Sequence, residues 1–184
     1  MTNTLNRRGF LAAGALALAG CSNPIGGNRA AVIDARVDSS LQFLTTTYPG
    51  TQDLLSRAAG VLVMPVVTEV GLGLGGAYGQ GALRVGPSTV DYYSATAASA
   101  GLQIGAQQYS HVLFFMTQEA LMDFRASPGW VAGADLEYAA NAQGEVLRAD
   151  TTTSLSPVIA VVFAQSGLRV GATVEGTKYT RIIP

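Results

Sequence analysis

From Gly60 onward the chain is written in short runs rich in Val, Ile, Tyr and Phe, separated by Gly, Pro, Ser and Asn. Runs of this length with this punctuation fold as antiparallel strands joined by turns. The pattern predicts strands over 61–67, 72–78, 82–85, 90–95, 101–106, 112–115, 130–139, 158–163, 168–174 and 179–182. Gly86-Pro87-Ser88 and Gln165-Ser166-Gly167 serve as hairpin connections, and the polar stretch 141–156 reads as a long loop. Glycines inside the runs let strands bend and let backbones approach closely. One short helix interrupts the series at 117–125, with Thr117 as N-cap and acidic residues in its first turn.

Upstream of Gly60 the period changes. Ile33, Val37, Leu41, Leu44 and Tyr48 recur at spacings of three and four, which places them on one face of a helix that stops at Tyr48-Pro49-Gly50. Thr51 is then the expected N-cap of a second helix carrying Leu54, Leu55, Ala58 and Ala59, with Gly60 as its last residue. The expected fold class is α+β: N-terminal helices, then a curved, Gly-rich antiparallel β-sheet, sandwich or barrel-like, with one short inserted helix. At 184 residues the chain is expected to form one domain.

Residues 1–21 stand apart. A basic pair, an apolar run of about ten residues and then small residues form the pattern of an export signal, too short to cross a bilayer as a helix. Arg7-Arg8-Gly9-Phe10-Leu11 resembles the twin-arginine export motif, departing from it at Asn6 and Ala12. Leu18-Ala19-Gly20-Cys21 resembles the lipobox of bacterial lipoproteins, in which the cysteine is lipidated and becomes the mature N-terminus. The expected organisation is therefore a removed signal peptide at 1–20, a lipidated tether at 21–28 and a single domain at 29–184. Two or three acyl chains such as palmitate on Cys21 hold a protein on a bilayer without spanning it. Ser22 after the cysteine suggests the periplasmic side of the outer membrane. Removal of 1–20 takes Arg7 and Arg8, so of 11 Lys+Arg nine remain against 12 Asp+Glu, a net charge of −3.

Charged residues make up 12% of the chain, about half of the roughly 25% usual for soluble domains. With no basic excess, nucleic acid is not an expected partner. One Cys cannot form an internal disulfide, and one His cannot build a two-His zinc site, so no metal or cofactor is expected. Gly71-Leu72-Gly73-Leu74-Gly75-Gly76 matches GxGxxG formally, but a dinucleotide fingerprint opens a helix. Here Tyr78-Gly79-Gln80-Gly81 follows, which reads as strand. His111 has no cysteine to activate and no GxSxG motif accompanies it, so it reads as structural or surface, and Asp135 and Glu137 as one solvated strand face. The chain is expected not to be an enzyme. Arg84, Arg125, Arg148, Arg169, Lys178 and Arg181 are dispersed rather than clustered, and Trp130 suits either a core or a bilayer interface.

Several blocks together resemble the SYLF lipid-binding domain: Ala58 to Pro65, Gly71 to Gly76 with Tyr78 to Gly81, Gly101 to Gln107, Phe115-Met116-Thr117 with Phe124-Arg125 and Gly129-Trp130, and Gly167-Leu168 with Glu175-Gly176 and Thr180-Arg181. The resemblance runs over about 29–184 in the family's order. It implies binding to a phospholipid membrane, with Arg84, Arg125, Arg169, Lys178 and Arg181 as candidates for head groups and Trp130 for the interface. The chain departs from eukaryotic members by lacking a basic amphipathic N-terminal segment, which argues against phosphoinositide specificity, and actin is not a periplasmic partner. The rival expectation is an envelope structural lipoprotein whose partner is another protein.

Overall fold

The computed structural model describes residues 28–133, 137–138, 156–164, 167–168 and 174–184. Cys21, Arg148, Arg169, Asp135, the connection Gln165-Ser166 and the loop at 141–155 lie outside the described residues. Two helices, α1 (Arg29–Thr47) and α2 (Thr51–Arg57), precede the long strands β1 (Gly60–Val85) and β2 (Ser88–Phe115). Then follow α3 (Gln118–Ala126), β3 (Trp130–Val131), β4 (Glu137–Tyr138), β5 (Val158–Ala164), β6 (Gly167–Leu168) and β7 (Lys178–Ile182). The architecture is α+β, a single curled half-barrel sheet with helices mostly at the N-terminal end.

Local signals set the helices. α1 buries Ile33, Val37 and Leu44, as its periodicity requires, and Leu41 and Tyr48 pack beside them. Thr51, the expected N-cap of the second helix, is instead its first residue, and Gly50 occupies the cap. The Thr51 hydroxyl looks backward and donates to the Tyr48 carbonyl at 2.7 Å, closing the tight turn that Pro49 and Gly50 make. α2 also ends earlier than expected. Ala58 is extended, the Ala59 N–H donates to the Phe115 carbonyl, and Gly60 opens β1 rather than closing the helix. The cap of α3 is as expected, the Thr117 hydroxyl accepting from the Ala120 N–H at 3.2 Å.

Six expected strands fuse into two. β1 pairs with β2 antiparallel from Gly60↔Phe115 to Val85↔Ser88, with irregularities at Met64/Val67, Leu72/Gly73 and Leu83/Arg84. The breaks read from the sequence are thus bulges and glycine bends inside continuous strands. The 26 residues of β1 would span on the order of 85 Å if straight, against a radius of gyration of roughly 15 Å for a globule of this size. The hairpin must therefore curl. Gly71, Gly73, Gly75, Gly79 and Gly81 take alternate positions of β1, leaving one strand face nearly bare of side chains. On that face β1 closes over its own beginning: a Cβ on Gly81 would overlap the Val63 carbonyl oxygen, and one on Gly79 would stand 2.7 Å from a Val67 methyl.

β2 is the spine. β1 follows it throughout, β7 pairs with Tyr92–Thr96 and β5 with Ser110–Phe115. The single strand expected at 130–139 is two short ones at opposite ends of the sheet, β3 beside β7 and β4 parallel to β5. Between them Ala132 turns aside to exchange backbone hydrogen bonds with Thr177 and Gly176. The inner face of the curl buries Leu62, Met64, Leu83, Tyr93, Leu113 and Phe115, with Leu121 and Phe124 of α3 closing it. On the outer face Val61, Val63, Ala82, Val112, Phe114, Ile159 and Val161 pack beneath α1 and α2.

Candidate functional site

The helices roof only part of the outer face. Over the roofed part Ile33, Val37, Leu44 and Leu54 cover the strands, and a polar clamp fixes α1 to the end of the hairpin. Asp34 accepts hydrogen bonds from the Tyr92 hydroxyl at 2.8 Å and the Thr89 hydroxyl at 2.7 Å. Arg84 reaches Asp38 at 2.7 Å and Asp34 at 3.5 Å. Burial and then the hydrogen bond to Asp34 push the Tyr92 hydroxyl above its usual range, so it remains a donor.

Among the described residues nothing covers the rest of the outer face. Cross-strand partners point to the same side of a sheet, so register alone identifies a row running Tyr78, Thr96, Lys178, Val131 across β1, β2, β7 and β3. All four are exposed. Farther along β1 on the same side come Leu74 and Val70; Leu74 is 81% exposed, and Val70, Tyr78 and Val131 are each 53% exposed. Isolated exposed apolar residues are ordinary, but several sharing one sheet face mark a contact surface. No Asp, Glu, Lys or Arg occurs in 70–83 or 92–110. Along the row the one charged side chain is Lys178.

The sequence-derived candidates fall into three groups. Lys178 stands on the bare face. Arg84 lies at the clamp under α1. Arg125 and Arg181 converge on one carboxylate, Arg125 Nε lying 2.9 Å and Arg181 Nε 3.4 Å from the two oxygens of Asp91. Arg181 also donates to the Arg125 carbonyl at 2.7 Å, and its guanidinium lies over the Tyr93 ring. This pair ties α3 to β2 and β7. Trp130 packs edge-on to Phe124, with ring centroids 5.4 Å apart, and against Tyr179, on the side of β3 opposite Val131. Arg169 and the lipidation candidate Cys21 lie outside the described residues. Val70, Leu74, Tyr78 and Val131 were not legible as candidates from spacing, although the alternate glycines of β1 assign the face of the first three.

GxGxxG lies within β1 and meets no helix. His111 is fully buried, its Nε2 2.8 Å from the Tyr179 hydroxyl, and burial lowers its pKa to about 3. It is neutral at physiological pH and joins β2 to β7 as a structural group. Among the described residues no cluster of three His, Cys, Asp or Glu could hold a metal, and no helix is long and apolar enough to cross a membrane.

Among the described residues the most prominent feature is an exposed sheet face. Residues 96–181, a little under half of the chain, match the model of the family described as Ysc84, Las17-binding protein actin regulator. The match supports the SYLF resemblance over this region, which takes in most of β2 and the later elements as far as Arg181, including Thr96, Val131 and Lys178. The match is consistent with a lipid-binding or protein-interaction domain and brings no catalytic activity with it. No curated protein matches the chain.

Proposed function

We propose that this protein is an exported, non-enzymatic lipoprotein, anchored through Cys21 on the periplasmic side of the outer membrane, whose domain binds membrane phospholipid. The observation that carries the reading is the unroofed outer face: apolar, exposed, free of carboxylates along its row, with Lys178 supplying the cation. A single Lys near an anionic bilayer contributes about 1 kcal/mol, too little to hold a free domain. The acyl anchor changes the arithmetic. A seven-residue tether over 22–28 spans on the order of 15 Å, which keeps the domain at millimolar effective concentration over the bilayer, where weak contacts are populated.

The test is flotation of residues 21–184 carrying Cys21→Ser, which lack the basic, apolar export segment and cannot be acylated, with vesicles of phosphatidylglycerol and phosphatidylethanolamine. Co-flotation that weakens as salt is raised supports the reading; absence from every vesicle fraction at low salt contradicts it. The family description names a protein partner, and that favours the second reading, a protein-contacting envelope lipoprotein. Crosslinking in intact cells that traps one protein, with no vesicle binding, would establish it.

A further inference from the structure

The curl of the hairpin does more than close the half-barrel. Because the glycines take the inner positions, every large side chain of the bend from Val70 to Tyr78 that the structure describes points outward, on the same side as the Lys178 row. We propose that this arm, residues 68–80 of β1 with 96–108 of β2, seats its outer face at the boundary between head groups and acyl chains, with Leu74 deepest. The inference rests on the phospholipid-binding reading and names the part of the chain that enters the bilayer.

Charge favours a bilayer over other occupants. The mature chain is net acidic, so overall charge cannot draw it to an anionic surface. The arm, however, carries no charged side chain from Val70 onward in β1 and none in its β2 half, so no ionised group on it has to leave water. A second copy docked face to face would bring two Lys178 side chains onto the same row with no carboxylate there to pair them. An anionic lipid surface fits the same face, with Lys178 toward the phosphates.

The backbone sets the depth. The β1–β2 ladder pairs one edge of each strand, but among the described residues no strand pairs the other edge of β1 along the arm. Open edges are excluded from the hydrocarbon core, while at the interface water and head groups bond them. The arm therefore lies shallow. Tyr78 marks that level, its ring apolar and its hydroxyl accepting from Gln80 Nε2 at 2.9 Å. A polar collar closes the base of the arm: Gln107 donates to Glu69 at 2.8 Å, and Gln108 to Thr68 at 3.2 Å.

The experiment uses residues 21–184 with Cys21→Ser, which then hold no other cysteine, with Leu74→Cys or Met122→Cys labelled by a nitrobenzoxadiazole dye. Met122 is the control, exposed on α3 at the inner side of the sheet. Each protein is mixed with phosphatidylglycerol–phosphatidylethanolamine vesicles containing lipids spin-labelled near the top of the acyl chain, and flotation is measured on the same samples. The expected result is co-flotation of both, with several-fold enhanced, blue-shifted and quenchable emission at position 74 only. Co-flotation with an unchanged dye at 74, or with equal changes at 74 and 122, overturns the arm while leaving phospholipid binding standing. Failure of both proteins to float removes the underlying reading and the arm with it. A blue shift at 74 that grows with protein concentration in the absence of vesicles assigns the face to self-association and also overturns the proposal.

Discussion

The two halves of the outer sheet face are built from the same kinds of residue and end in opposite environments. Under α1 and α2, Val112, Phe114 and Val161 are fully buried; beyond the helices, Val70, Leu74 and Tyr78 stand in the open. Nothing in the strand sequences separates these groups by hydrophobicity. What separates them is the reach of α1, whose 19 residues span roughly 28 Å and which Asp34 and Asp38 pin at the hairpin end. Apolar character on one half stabilises the fold, and on the other half it stays exposed among the described residues.

The difference is sharpest in truncation. Phe114→Ala, beneath the roof, is expected to cost about 3–5 kcal/mol, measured by urea unfolding, whereas Leu74→Ala should stay within about 0.5 kcal/mol. Equal losses at both positions would break the distinction between the halves. The next contrast lies across β1 rather than along it. Gly81→Ala, whose methyl meets the Val63 backbone, should cost about 3 kcal/mol or prevent folding. Gly76→Ala meets only the Ala97 carbonyl at 3.5 Å and should be nearly neutral in thermal denaturation.

An effect smaller per pH unit probes the inner face. His111 has a folded-state pKa lowered to about 3 by burial, against 6.5 when unfolded, so below pH 6.5 the unfolded chain takes up a proton that the folded chain refuses. Stability should fall as pH drops through that window, with a slope approaching about 1.4 kcal/mol per pH unit, and His111→Phe should flatten the profile. Smallest is the clamp. Asp34→Ala removes the acceptor of Tyr92 and Thr89 and should cost about 1 kcal/mol in urea unfolding, with hydrogen exchange rising in α1 before the sheet.

What could be read from the sequence follows the range of the interactions involved. The buried stripe of α1 and the Thr117 cap depend on neighbours three or four residues away, and both stand as expected. The six strand fragments that became β1 and β2 could not be joined from pattern alone, because a glycine that ends a strand and one that bends it look identical until the partner register exists. Val131 and Tyr138 looked like parts of one strand, yet their hydrogen-bond partners, β7 and β5, lie at opposite ends of the sheet. Candidate cations met the same obstacle. The carboxylates that engage Arg84 and Arg125 are 46 and 34 residues away, so nothing local announced them. Lys178 was legible as a cation, but its place beside Tyr78 and Val131 emerges only from three strand pairings.

The proposed contact is between the bare half of the outer face and phospholipid. Leu74→Asp tests this with little risk to the fold, because the side chain is almost fully exposed, and Met122→Asp supplies an equal charge change on the inner side. Both are compared with the parent Cys21→Ser chain by flotation on phosphatidylglycerol-containing vesicles at matched thermal stability. The prediction is that Leu74→Asp loses co-flotation by about tenfold or more while Met122→Asp floats like its parent. Equal flotation of all three proteins would contradict it.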